Sequence, residues 1–90
     1  MFKVYRIFYS EYMDNCTWRF SVDVRCINEK LLIRRLAKVN SKRYTYSSDY
    51  LKALGKKFKI INVDAFVVNV GYPNIEINFQ GYNVLREEKK

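Results

Sequence analysis

Four basic residues are spaced so that a helix would carry all of them on one side. Lys30, Arg34 and Lys38 follow one another at intervals of four, and Arg35 adjoins them. Like charges at this spacing repel by about 0.2–0.5 kcal/mol per pair, so a helix selected for stability alone would more often include Glu. A polyanion would turn this repulsion into attraction. The spacing therefore predicts an anion-binding face, and the alternative is a face that is only solvated.

Basic and aromatic residues alternate in the segment that follows, which is Lys42, Arg43, Tyr44, Thr45 and Tyr46. Cations hold phosphates and rings stack on unpaired bases, so the segment favours RNA over DNA. The sequence leaves open that the tyrosines pack on the protein itself. Lys56 and Lys57 join the basic set, although cations after a helix end also favour the helix dipole. The predicted nucleic-acid-binding residues are Lys30, Arg34, Arg35, Lys38, Lys42, Arg43, Tyr44, Tyr46, Lys56 and Lys57.

The positive charge of the chain is concentrated in its middle third. The protein has 90 residues and a net charge of +8. Residues 28–59 contain ten basic and two acidic residues, whereas the rest of the chain contains seven of each. The whole surplus thus lies in one segment, which indicates an anionic partner such as a nucleic acid.

The residue types that hydrolases commonly use are missing or scattered. The sequence has no His, and its nine acidic residues show no metal-ligand spacing. It also lacks a Gly-rich phosphate-binding loop. Asp23 and Asp64 could form a carboxylate pair only if their strands are neighbours. We therefore expect a non-catalytic protein with no cofactor and no bound metal.

One class of enzyme remains, because it works without His. The chain is similar to RelE-type ribonuclease toxins in length, charge and α+β content, a resemblance that implies RNA cleavage by Lys, Arg and Tyr side chains. Those toxins usually begin with one strand before two helices, whereas a hairpin is predicted first here. Residues 74–85 also lack any base, unlike their Arg-rich final strands. We therefore favour binding without cleavage.

Composition suggests a second hypothesis about the protein's role. Lys, Asn, Ile and Tyr are common, which is typical of AT-rich genes of phages and mobile elements. The chain could be a phage-type counter-defence factor, an inhibitor that docks on a host or toxin protein directly or through RNA.

No apolar run approaches the roughly 20 residues of a membrane helix, and no membrane partner is expected. We expect a cytoplasmic protein, in the host cytoplasm if a phage encodes it.

Two strands are expected to precede the basic segment. Apolar and polar residues alternate strictly over residues 16–26, as in a half-buried strand, and residues 2–12 read as a strand with both faces partly covered. Asp14-Asn15 between them favours a turn, so we predict an antiparallel hairpin. Cys16 and Cys26 would lie roughly 33 Å apart on one strand, too far for a disulfide. Both are predicted to be buried thiols.

Two helices should carry the basic residues. Asn28 can cap the first helix, and Asn40-Ser41 is predicted to end it. Its apolar stripe is predicted to consist of Leu32, Ile33, Leu36, Ala37 and Val39. Ser47 or Ser48 can cap the second helix, and Gly55 is predicted to end it.

Two further strands complete the expected fold. Residues 58–70 are rich in β-branched side chains, and residues 75–80 alternate apolar with polar. Gly81 is predicted to mark a bulge or the strand end, and residues 86–90 to fray. The result is one α+β domain over residues 1–90, a four-stranded antiparallel sheet in ββααββ order with both helices on one face. The strand order stays open, and residues 58–70 could form an exposed edge that pairs two copies into a homodimer.

Overall fold

The chain forms six elements in the order strand, strand, helix, helix, strand, strand. A computed structural model describes residues 2–13, 16–42, 44, 47–64 and 76–88. The elements are β1 (Phe2–Met13), β2 (Cys16–Cys26), α1 (Glu29–Asn40), α2 (Ser47–Lys57), β3 (Lys59–Asp64) and β4 (Glu76–Glu88). The predicted α+β class and element order are confirmed.

All four strands belong to one antiparallel sheet with the order β3-β2-β1-β4. The predicted hairpin of β1 and β2 therefore forms the centre of the sheet. Its register places Ile7 opposite Val22 and Tyr9 opposite Phe20. Because side chains alternate between the two faces of a strand, this register places Tyr5, Ile7 and Tyr9 of β1 on the same face as Phe20, Val22 and Val24 of β2.

Both helices cover that apolar face, as the sequence predicts. The buried core consists of Tyr5, Ile7, Tyr9, Phe20, Val22, Val24, Cys26, Leu32, Leu36, Val39, Tyr50, Leu54 and Phe58. Large rings fill much of the space between the layers, since Tyr9 stacks on Phe20 with ring centroids 5.0 Å apart. The ring of Tyr50 from α2 meets Tyr9 edge-on at 5.3 Å. Offset and edge-on ring contacts of this kind stabilise a small core beyond their buried area.

Two bidentate ion pairs lie on the opposite, open face of the sheet. Arg6 donates to both carboxylate oxygens of Asp23 at 2.9 and 3.1 Å. Arg25 of β2 donates in the same way to Glu88 of β4, also at 2.9 and 3.1 Å. Because β1 lies between β2 and β4, the second pair crosses over β1. Val4, which pairs with Arg25 in the ladder, is fully buried although neither of the two described helices covers this face.

Strand β4 extends beyond the predicted strand over residues 75–80. Gly81 has a φ of 130° and lies at a register shift against β1, so the predicted bulge is confirmed. Such a φ is strained for residues other than Gly. The prediction that residues 86–90 fray is wrong for 86–88, which belong to β4. Pairing with β1 and the ion pair of Glu88 hold this end in the sheet.

The first helix is capped as predicted but has a narrower apolar stripe. The side chain of Asn28 accepts a hydrogen bond from the backbone N–H of Leu31 at 2.9 Å. Leu32, Leu36 and Val39 are buried, whereas Ile33 and Ala37 are exposed, which corrects the predicted stripe. The reason is that α2 packs on the other side of the stripe, beside the half-buried Leu31.

The second helix does not end at Gly55, contrary to the prediction, but continues to Lys57. The backbone N–H of Phe58 donates to the carbonyl of Leu54 at 3.0 Å. This additional turn carries the ring of Phe58 into the core. The stabilisation from burying the Phe58 ring, one turn beyond Leu54, therefore outweighs the tendency of Gly55 to end the helix.

Several predictions fall partly outside the described residues. Strand β3 covers Lys59–Asp64 of the predicted strand 58–70, and residues 65–70 are outside the description. The same holds for the turn at Asp14-Asn15 and for the side chain of Cys16. Cys26 is a buried free thiol, as predicted.

Candidate nucleic-acid interface

The two helices form an antiparallel pair that is tied at two points. Near the end of α1, the hydroxyl of Tyr50 donates to the side-chain oxygen of Asn40. Burial raises the pKa of Tyr50 to about 12, so its hydroxyl keeps its proton at neutral pH. In the middle of α1, Arg35 Nη1 donates to the backbone carbonyl of Lys57 at 2.7 Å. These contacts bring the basic side of α1 next to the last turn of α2.

A groove of about 340 Å³ lies between α1 and the end of α2. We call it the cationic groove, and its lining residues are Leu31, Arg34, Arg35, Lys38, Lys56 and Lys57. Five of these six side chains are cationic. A concave surface lined by one sign of charge concentrates counterions of the opposite sign.

Arg35 is fixed in the wall of the cationic groove by two contacts. Besides its bond to the Lys57 carbonyl, its guanidinium carbon lies 5.9 Å from the ring centroid of the buried Phe58. The guanidinium therefore satisfies the negative end of the α2 dipole while stacking near a core ring. A guanidinium carries five N–H donors, so further donors remain for a ligand.

Carboxylates do not neutralise the cationic groove within the described part of the chain. The ion pairs found there join Lys3 to Glu87, Arg6 to Asp23 and Arg25 to Glu88, all within the sheet. The two acidic residues of the helices, Glu29 and Asp49, lie in the first turns of α1 and α2. The charge of the groove therefore remains available to an anion from outside.

The structure brings together five of the ten predicted binding residues, namely Arg34, Arg35, Lys38, Lys56 and Lys57. Lys56 and Lys57 lie in the last turn of α2 and not after the helix end, which corrects the predicted position. Lys30 and Lys42 are exposed on α1 and just beyond its end, outside the groove lining. Arg43 and Tyr46 lie outside the described residues.

Tyr44 has the contacts of a packing residue. Its hydroxyl donates to the carbonyl of Val39 at 3.0 Å, near the end of α1. Its ring meets Tyr50 edge-on, with centroids 5.2 Å apart, and it is half-buried. This agrees with the alternative in which the tyrosine packs on the protein, and stacking of Tyr44 on a base stays a prediction.

Asp23 and Asp64 lie on neighbouring strands but do not face each other in the ladder. Asp64 pairs with Ser21, and Asp23 pairs with Asn62. Both oxygens of Asp23 accept hydrogen bonds from Arg6. The condition set by the sequence, that the two strands are neighbours, is therefore met, while the Asp23 carboxylate is engaged by Arg6.

Sequence reasoning did not anticipate a second cavity, of about 450 Å³, on the open face of the sheet. Its lining residues are Phe8, Tyr9, Arg19, Phe20, Ser21, Asp64 and Gln80. The side-chain amide of Gln80 donates to the hydroxyl of Ser10 at 3.0 Å. Only the strand order brings β4 and β3 residues to the two sides of this cavity, and the sequence left that order open.

Comparisons with protein-family models, with curated proteins and with solved structures find no match to this chain. In the parts of the chain that the structure describes, neither helix has the length and apolar character to cross a membrane. The same parts hold no cluster of three potential metal ligands. The fold and the groove define a small basic α+β domain.

Proposed function

We propose that this protein binds nucleic acid without cleaving it, with RNA favoured over DNA. The observation that carries this proposal is the cationic groove, where Arg34, Arg35 and Lys38 of α1 meet Lys56 and Lys57 of α2. The three residues of α1 are distant in sequence from the two of α2. Bringing their like charges together does not in itself stabilise the fold. A phosphate backbone would convert their mutual repulsion into binding energy.

The chemistry of the groove suits phosphate oxygens. A guanidinium donates two parallel hydrogen bonds to one phosphate, and Arg35 is already held in place for this. Lysine ammonium groups act as point charges beside it. Lys30 and Lys42 extend the basic surface along α1, over about 18 Å at 1.5 Å per residue. A strand with several successive phosphates would therefore bind better than a single phosphate ion.

The preference for RNA depends on the segment after α1. Single-stranded RNA exposes bases that stack on rings near cations, and the segment from Lys42 to Tyr46 supplies both residue types. Tyr44 is held at the end of α1 by Val39, so this segment starts beside the basic helix.

The proposal is tested by charge reversal at two exposed groove residues, Arg34→Glu combined with Lys38→Glu. Arg35 is left unchanged because it also holds α2. Fluorescence anisotropy with a labelled single-stranded RNA should show affinity falling at least 100-fold. A matched control reverses two exposed cations of the sheet, Arg19→Glu with Lys59→Glu, and should stay within a few-fold of the parent. Equal RNA affinity of the groove variant and the parent would refute the proposal.

Recovery of the RNA after binding separates the proposal from its RelE-type alternative. Intact RNA supports binding without cleavage, and fragments that the parent produces but the groove variant does not would favour a ribonuclease.

The other alternative is a phage-type counter-defence inhibitor that docks directly on a host or toxin protein. An apolar protein interface is much less sensitive to salt than a phosphate contact, so a salt titration of the complex distinguishes the two.

A further inference from the structure

Strand β4 is an edge strand of the sheet, and its outer side has no neighbour among the described strands. It is 13 residues long, against six for β3 at the other edge. The outward backbone N–H and C=O groups of such a strand can pair with another strand. Within the described residues, β4 therefore offers the longer of the two edges.

A row of apolar side chains follows β4 on the helix-covered face of the sheet. We call it the β4 row, and it consists of Ile77, Phe79, Tyr82 and Val84. The helices leave much of it uncovered, since Phe79 is 41% and Val84 50% exposed. Leu85, at a register shift beside the row, is 38% exposed. Exposed apolar residues gathered on one edge strand indicate a protein contact more strongly than the same residues scattered.

The charge distribution decides which protein fits this edge. Residues 77–85 carry no charge, and β4 as a whole has three Glu and one Arg in a chain with a net charge of +8. Two copies that meet through their helices would bring two cationic grooves together. Two copies that meet through β4 place their least positive element at the contact, which minimises repulsion.

We propose that β4 pairs antiparallel with β4 of a second copy of this chain, which joins two sheets into one of eight strands. A two-fold axis perpendicular to the sheet generates this arrangement. It keeps both β4 rows on the same face, where they lie side by side. The register shifts at Gln80 and Leu85 interrupt the backbone ladder, so the apolar rows contribute to the contact together with the backbone.

This assignment differs from the dimer expected from the sequence, which used residues 58–70. Strand β3, the part of that segment described as a strand, has a charged residue at each end, Lys59 and Asp64, and includes a register shift of its own. The β4 dimer would keep both helical layers on one side, so two cationic grooves would face the same direction. The proposal depends only on β4 and is independent of the proposed binding of nucleic acid.

The test is the mass of the full chain in solution after nuclease treatment and a high-salt wash, so that bound nucleic acid plays no part. Light scattering and sedimentation equilibrium should show a dimer for the parent. Val84→Lys should raise the dimer dissociation constant at least tenfold, because it places two ammonium groups beside the paired strands. Ile33→Lys is the matched control, since Ile33 on α1 is also an exposed apolar residue, at 49%. It should leave the dimer unchanged.

A third variant, Ile61→Lys, examines the β3 edge and should also leave the dimer intact. Hydrogen exchange on the unmodified parent provides a measurement without mutation, and β4 amides should gain protection as the protein concentration rises. A parent that is monomeric at every concentration overturns the proposal. Dissociation by Ile61→Lys and not by Val84→Lys overturns it as well. The same holds for β4 protection that is equal at concentrations where the parent is monomeric and where it is dimeric.

Discussion

At the scale of single residues, the groove depends on a side chain that serves the fold and the site together. Arg35 donates to the carbonyl of Lys57 and lies over the ring of Phe58, so it joins α1 to the end of α2. Arg34 is its neighbour in the sequence and lines the same groove, but it is exposed. Variants at the two arginines can therefore distinguish the contribution of this surface to stability from its contribution to binding.

Substitution of each arginine by Ala should show this separation. Arg35→Ala removes a hydrogen bond and a cation–π contact, and we expect it to lower the free energy of unfolding by about 1–2 kcal/mol. Arg34→Ala should change it by less than about 0.5 kcal/mol, as is usual for exposed residues. Urea unfolding measures both. A similar loss of stability in the two variants would contradict the structural role of Arg35.

At the scale of elements, most of what the sequence predicts depends on local patterns. Strict alternation identifies β2, Asn28 marks the start of α1, and the four-residue spacing places Arg34 and Lys38 on one side of a helix. The errors arise where tertiary packing decides. The position of α2 leaves Ile33 exposed and brings Lys56 and Lys57 into the groove, and no pattern within one segment reports how two helices pack.

Gly55 offers a direct test of where α2 ends. It lies inside the helix, and an added Cβ would meet Ile60 Cδ1 at 3.6 Å, an ordinary contact. Gly55→Ala should therefore stabilise the protein by about 0.5–1 kcal/mol in urea unfolding, because Ala loses less conformational entropy in a helix. A helix that ended at a left-handed Gly55 would instead be destabilised by this change.

The ion pair of Arg25 and Glu88 ties β4 to β2 and predicts a dependence of stability on pH. The hydrogen bonds from Arg25 lower the pKa of the Glu88 carboxyl below its ordinary value. The stabilisation is therefore present above the unfolded-state pKa of about 4.3 and is lost as the pH falls through the folded-state pKa.

Glu88→Gln should consequently lower the urea midpoint at pH 7 and reduce the further loss of stability on acidification. Glu87→Gln is the matched control, because the neighbouring Glu87 lies 4.0 Å from Lys3 in a more exposed pair. It should have little effect at either pH. If Glu87→Gln and Glu88→Gln behave alike, the ion pair across β1 is not what stabilises this end of the sheet.

At the scale of the whole molecule, the sheet and the helices differ in charge. The described ion pairs lie within the sheet, while the cations of the helices face an open groove. Five phosphates neutralised there would give a slope of about −3.5 for the logarithm of the RNA binding constant against the logarithm of salt concentration. Affinity should thus fall about 3000-fold for a tenfold rise in salt.

Anisotropy titrations from 50 to 500 mM salt measure this slope. Arg34→Glu with Lys38→Glu should reduce its magnitude by at least about one, because fewer phosphates are then neutralised. A slope near zero for the parent would mean that its contacts with RNA are not made to phosphates.

The position of β1 between β2 and β4 also determines the order in which the sheet can assemble. Strands β1 and β2 are separated by only two residues in the sequence, so their hairpin can form within microseconds, whereas β4 lies at the other end of the described chain. Contacts between distant segments slow folding. We therefore expect a refolding intermediate in which the hairpin and the helices have formed and the edge of β1 that pairs with β4 is still unpaired. Pairing of β4 with β1 would then limit the rate of refolding.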